Sequence, residues 1–137
     1  IMPKSTTTAN DTLDAFLRAV DPAWRAGATR YIALHTADPA NAGTQLTSEA
    51  TYTSYARVAV TAATGFTSAA AGSSSNTGLI QFPQCTGGTN VITRVTIGTA
   101  ASGAGQIIYR GSLNASLSVA NLIQPQFSIG SLTASES

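Results

Sequence analysis

Charged residues are scarce in this chain of 137: seven are basic and six acidic, 9% of the sequence, where about 25% is usual. The net charge is +1 and the six arginines are scattered singly. No basic cluster is present of the kind that attracts nucleic acid or an anionic membrane, so neither is an expected partner. The single cysteine, Cys85, excludes an internal disulfide and any multi-cysteine metal site, and reads as a small apolar or loop residue. No apolar run approaches the ~18 residues of a membrane-spanning helix. Residues 1–10 carry one lysine and four hydroxyl side chains and lack the apolar stretch of a signal peptide.

Grouped ionisable chemistry is missing as well. His35 is the sole histidine, and no G-x-S-x-G elbow accompanies it, so a Ser-His-Asp site has arithmetic support only. Its ordinary reading is a strand-end histidine making a structural hydrogen bond. The four aspartates and two glutamates are dispersed, and the near neighbours Asp11 and Asp14 fit helix capping. No D-x-D-x-D-G calcium loop occurs. Gly87-Gly88 and Gly103-Ala104-Gly105 lack the following Lys-Ser/Thr and helix of a phosphate loop and read as hairpin turns. Tyr52, Tyr55, Phe66 and Tyr109 could form a sugar-binding platform, although strand aromatics so widely spaced more often pack in a core. The chain reads as a non-enzyme with no catalytic, cofactor-binding or metal site and no small-molecule substrate.

What the sequence does hold is 35 serines and threonines within a 43% apolar composition. Uncharged polar side chains must therefore supply the surface, and Thr, Val and Ile suit pleated strands. Low hydrophobicity with high net charge would signal disorder; neither applies. The length suits one domain with a two-layer core.

Residues 1–9 are polar and unpatterned, which predicts a flexible N-terminal arm. Leu13, Phe16, Leu17 and Val20 then fall at i, i+3, i+4 and i+7, one stripe of a helix. Asn10 or Asp11 can cap it, Pro22 interrupts it, and the helical region is expected over 10–24. From residue 31 the period is two. Strands are expected at 31–35, 55–60, 79–82 and 91–97, with a weak one at 66–70, a long loop at 36–50 and a turn at 71–76. The strongest alternation, 107–119, places Ile107, Tyr109, Leu113, Leu117 and Val119 on an apolar face and Ile108, Arg110, Asn114 and Ser116 on a wet one. Its length predicts a bend near Gly111 or Asn114. Pro125 marks 123–129 as an edge or interrupted strand. The predicted fold is mainly β: an antiparallel β-sandwich, jelly-roll-like, over 10–137 with one N-terminal helix. The helical stripe has two readings, a cover for the open end of its own sandwich or a contact with a neighbouring subunit. In the second, Pro3, Lys4, Leu13, Phe16, Leu17 and Trp24 form the partner interface.

The segment Tyr31-Ile32-Ala33-Leu34-His35-Thr36-Ala37-Asp38-Pro39, then Gly43-Thr44-Gln45 and Tyr55-Ala56-Arg57-Val58, resembles a family of small tailed-phage and prophage virion proteins. Ile80-Gln81-Phe82-Pro83, Ile97-Gly98-Thr99-Ala100, Gly103 and Gly105 continue the resemblance in order, over about residues 10 to 132. The resemblance implies a virion structural protein made in the bacterial host cytoplasm, and supplies no catalytic residues. The leading reading is a capsid cement (decoration) protein on the capsid exterior, its partners the major capsid protein and copies of itself as dimer or trimer. The alternative is a tail or tail-fibre component involved in adsorption, and a distant one is a small carbohydrate-active enzyme.

Overall fold

The computed structural model describes residues 3–136. They form a mainly β structure of antiparallel sheets with a single α-helix, α1 (Thr6–Arg18), at the N-terminal end. Strands β1 (Thr29–His35), β2 (Val58–Thr61), β5 (Asn90–Gly98) and β6 (Ile107–Val119) make a central sheet in the order β2-β1-β5-β6. Two short pairs complete the structure: β3 (Ser73–Ser75) with β8 (Thr133–Ser135), and β4 (Ile80–Gln81) with β7 (Gln126–Phe127).

Paired residues share a face of a sheet. Ile32 lies opposite Ile97 and Val58, and Leu34 opposite Val95. These side chains form the main core with Tyr52, Ile80, Phe82, Ile92 and Leu132, so the short pairs and their loops make a sandwich-like second layer. That layer stays short for a local reason. Pro83 and Pro125 follow or precede its central pair and have no N–H to extend the ladder; the Pro125 carbonyl still accepts from Phe82 N at 2.9 Å.

The opposite face of the central sheet carries Ala33, His35 and Thr96, all buried. Loop 36–50 covers it. Gln45 lies in a slot floored by Gly98 and Gly105, where an added Cβ would come within 2.1 and 2.3 Å of its side chain. Gln45 Nε2 donates to the Tyr31 carbonyl at 2.9 Å and its Oε1 accepts from Ala100 N at 3.1 Å.

The N-terminal segment corrects two expectations. The helix runs Thr6–Arg18 rather than 10–24, because Ser5 is its N-cap and accepts from Thr8 N. It stops at Ala19, which takes a left-handed conformation (φ 56°); residues Ala23–Ala26 form a separate 3-10 turn. Residues 6–9 therefore belong to the helix, and the described part of the expected arm is docked on its own sheet. Ser5 Oγ and Thr8 Oγ1 both donate to the Ile107 carbonyl, at 2.7 and 2.6 Å. Thr6 N donates to Asn41 O and Arg110 N to Pro3 O. Hydroxyls, backbone groups and the Gln106 amide, which donates to Thr8 Oγ1 and Asp11 Oδ2 at 2.9 Å, make the attachment, and a search for apolar periodicity does not see them. Ile1 and Met2, also assigned to the arm, lie outside the described residues.

β6 follows its predicted alternation over part of its length. Val119 is buried, Leu113 and Leu117 are half-buried, and Ser112, Asn114 and Ser116 are exposed. Its pairing with β5 is irregular between Ser112 and Leu117, as the expected bend near Asn114 required. A second irregularity puts one extra residue opposite the Ile97–Gly98 step. Ile107 and Ile108 are consequently both buried, which corrects the placement of Ile108 on the wet face. Tyr55 and Arg57 lie outside β2, and 66–70 holds only isolated bridges. β3 occupies part of the segment read as a turn at 71–76.

Candidate interaction surface

Most of the side chains with chemical potential are consumed by the scaffold. The Arg57 guanidinium, its side chain 2% exposed, forms a bidentate pair with Glu49. It also donates to the carbonyls of Ala100 at 2.9 Å and Gly103 at 2.6 Å. Tyr55 Oη donates to Glu49 Oε1 at 2.9 Å and accepts from Leu34 N at 3.1 Å. Burial, aided by the Glu49 charge, holds the Tyr55 phenol far above its usual range and keeps it protonated. Burial likewise pushes the Tyr52 phenol up to about 12. The Tyr-Ala-Arg motif is thus a clamp between loop 36–50 and the 99–106 turn.

His35 is buried, with Nδ1 2.9 Å from the Thr47 carbonyl and Nε2 2.8 Å from Thr96 Oγ1. The carbonyl can only accept, so Nδ1 carries the proton and Nε2 accepts from the threonine hydroxyl. Burial lowers its pKa. It is a neutral structural histidine within hydrogen-bond reach of no serine and no carboxylate among its partners, which leaves a triad without geometry. Among the described residues no group of three or more His, Cys, Asp or Glu side chains is placed to hold a metal, and no helix is long and apolar enough to cross a membrane. Tyr52, Tyr55, Phe82 and Phe127 meet in the core, with ring centroids 5.4 to 6.3 Å apart.

The helical stripe has a different fate. Leu13, Phe16 and Leu17 are 56, 81 and 79% exposed, and Val20 is exposed beside them. α1 therefore buries its hydroxyl side against β6 and turns its apolar side outward. The reading in which the stripe covers the end of its own sandwich is overturned. Trp24 is half-buried, its Nε1 donating to Asp11 Oδ2 at 2.8 Å, with the Arg30 guanidinium 6.0 Å from its ring centroid. Lys4 pairs with Glu136 at 2.7 Å and lies over the Tyr109 ring. Pro3 sits apart, its carbonyl on β6. A cavity of about 690 Å³ between α1 and β6 brings Lys4, Phe16 and Trp24 together with Ile108, Tyr109 and Glu136.

A second set of exposed apolar residues, Val91, Leu122, Ile123 and Ile129, escaped the sequence reading, which placed Val91 and Ile123 on strand faces. One signal could have found this region: residues 58–93 and 111–135 contain no charged side chain at all. Every charge lies in the remaining segments.

A β-rich chain whose most buried ionisable groups are locked into the scaffold, and whose helix presents apolar side chains to solvent, has the make-up of a protein that assembles with others. Residues 3–135 match the family described as Podophage GP4 fiber I protein gp80, and the chain belongs to that family. That family places it among bacteriophage virion structural proteins. No curated protein matches the chain.

Proposed function

We propose that the chain is a tail-fibre component of a phage particle, joined to its neighbours through the outward face of α1, and that it carries out no catalysis. The observation that carries this reading is the family match over nearly the whole chain, whose description is of a fibre protein. It favours the fibre over the capsid-cement role that led the sequence reading. The exposed Leu13, Phe16 and Leu17 support a contact there, because burying large apolar side chains against a partner releases roughly 25 cal/mol per Å². The low surface charge supports it too, since few ions need to be stripped of water.

The discriminating experiment is immunogold labelling of purified particles with copy counting against the major capsid protein. Label on fibres, at a copy number far below that of the major capsid protein, is expected. Label spread over the head in hundreds of copies overturns the fibre reading and restores the cement role.

A further inference from the structure

Two apolar features lie at opposite ends of β6, the longest strand. At its start, Ile108 and Tyr109 line the cavity of about 690 Å³ together with Phe16 and Trp24. At its end, turn 120–123 projects Leu122, 70% exposed, with Ile123 beside it. About ten residues of strand separate them, on the order of 30 Å.

The turn is a rigid, strained knob. Ile123 N donates to Ala120 O at 3.0 Å, making Leu122 the third residue of a β-turn, and its φ is +74°. That position favours glycine or asparagine. Leucine here gains nothing from the backbone and almost nothing from burial in its own chain. The knob is also pinned, because Leu122 N donates to Cys85 O and Cys85 N to Ile123 O, both at 2.8 Å. A strained residue with an unburied apolar side chain is the kind of local conflict that partner contacts resolve.

The cavity's polarity decides what fits it. Its ionic groups are already paired within the chain: Lys4 with Glu136, Arg25 with Asp21, and Tyr109 Oη with Glu136. A polar ligand needs donors and acceptors to orient it and would have to compete with these pairs for them. An apolar, charge-free knob leaves those pairs intact and strands no charge on burial. The volume, within the ~300–1,000 Å³ of pockets that enclose a small ligand, accommodates two aliphatic side chains.

We propose that Leu122 and Ile123 of one copy seat in the cavity between α1 and β6 of the next, joining copies head to tail. The choice of a second copy as occupant rests on the fibre reading. Unlike patches at opposite ends generate a heterologous contact, which propagates as a filament or closes as a ring. The knob and the cavity lining together remove on the order of a few hundred Å² from water, well below the ~1,200–2,000 Å² of stable pairs. Association is therefore weak in dilute solution and strengthened when copies are held in an array.

The test is sedimentation equilibrium of the wild type, Leu122→Gly and Phe16→Glu over a wide concentration range. Glycine relieves the positive φ and Phe16 is exposed, so both variants keep their fold, checked by thermal melts. The wild-type mass is expected to climb past the dimer with concentration, while each variant alone stays monomeric. Mixed in equal amounts, the intact knob of Phe16→Glu enters the intact cavity of Leu122→Gly, and growth stops at the dimer. A wild type that stays monomeric or plateaus at the dimer, a Leu122→Gly that associates like wild type, or a mixture that stays monomeric overturns the proposal. Fibre labelling of particles is read independently, so a failed contact and a failed fibre assignment are told apart.

Discussion

Arg57 and Glu49 face each other as a two-pronged ion pair, Nε to Oε1 at 2.7 Å and Nη2 to Oε2 at 2.8 Å, in a place from which water is almost excluded. The pair ties loop 36–50 to the 99–106 turn through the further Arg57 bonds to Ala100 and Gly103. Breaking it by removing one partner strands a buried charge. Glu49→Ala is expected to cost about 3–5 kcal/mol, measured by urea denaturation. Arg57→Lys, which keeps the charge but loses the fork, should also destabilise. A Glu49→Ala protein as stable as wild type would show that the pair contributes nothing.

The buried imidazole of His35 makes stability depend on pH. Its pKa is lowered from 6.5 by burial, so below about pH 6.5 the unfolded chain binds a proton that the folded chain resists. Folding stability from this group is therefore complete above 6.5 and is lost as pH falls toward the folded pKa. Asp38 and Glu136, both lowered, act with the same sign only in the more acidic range of carboxylates. Denaturation midpoints between about pH 5 and 6.5 should fall in the wild type. In His35→Gln that slope should flatten, and an unchanged slope would assign it to another group.

The N-terminal attachment rests on two hydroxyls sharing one acceptor. Ser5→Ala removes both the helix cap and a bond to Ile107 O, and is expected to cost about 1 kcal/mol. Thr8→Val, at a fully buried site, should cost about as much. Phe16→Asp with Leu17→Asp, on the exposed face, should shift stability by no more than about 0.5 kcal/mol per site. Faster hydrogen exchange in α1 of the Ser5 and Thr8 variants, with the β5 amides still protected, would locate the loss in the attachment.

Core contributions should follow burial rather than residue type. Phe82 is fully buried and packs against Tyr55 and Phe127, so Phe82→Ala should cost about 3–5 kcal/mol. Leu113, half-buried within the β6 irregularity, should lose less than the ~2–5 kcal/mol of a buried leucine. Equal losses at the two sites would mean that the outer part of β6 is covered.

Family resemblance and fold class were both legible in the residues. Motifs from Tyr31 to Pro39 and from Tyr55 to Val58 pointed to phage proteins, and alternation in 91–97 and 107–119 identified the two longest strands. The apolar stripe of α1 was equally plain. Its partner was not, because periodicity records that four side chains share a face and carries nothing about what lies opposite. The residues that attach the helix are serine, threonine, aspartate, glutamine and backbone carbonyls, whose bonds depend on the start of β6 being brought to them from about a hundred positions away. The same holds for β3 and β8: runs of serine and threonine show no alternation of polarity, and they become strands only because each supplies the other's hydrogen bonds.

The amino-acid order by itself determined where the two longest strands could form and how little charge the surface would carry. These are local or compositional properties, fixed by side-chain chemistry whatever the chain's path. Only the tertiary structure decided which face of α1 met the sheet, which carboxylate received Arg57, and that Leu122 stood exposed on a left-handed backbone at the far end of β6. Each of those depends on distances between segments remote in sequence, and such distances are set when the sheet closes and its hydrogen bonds find their partners.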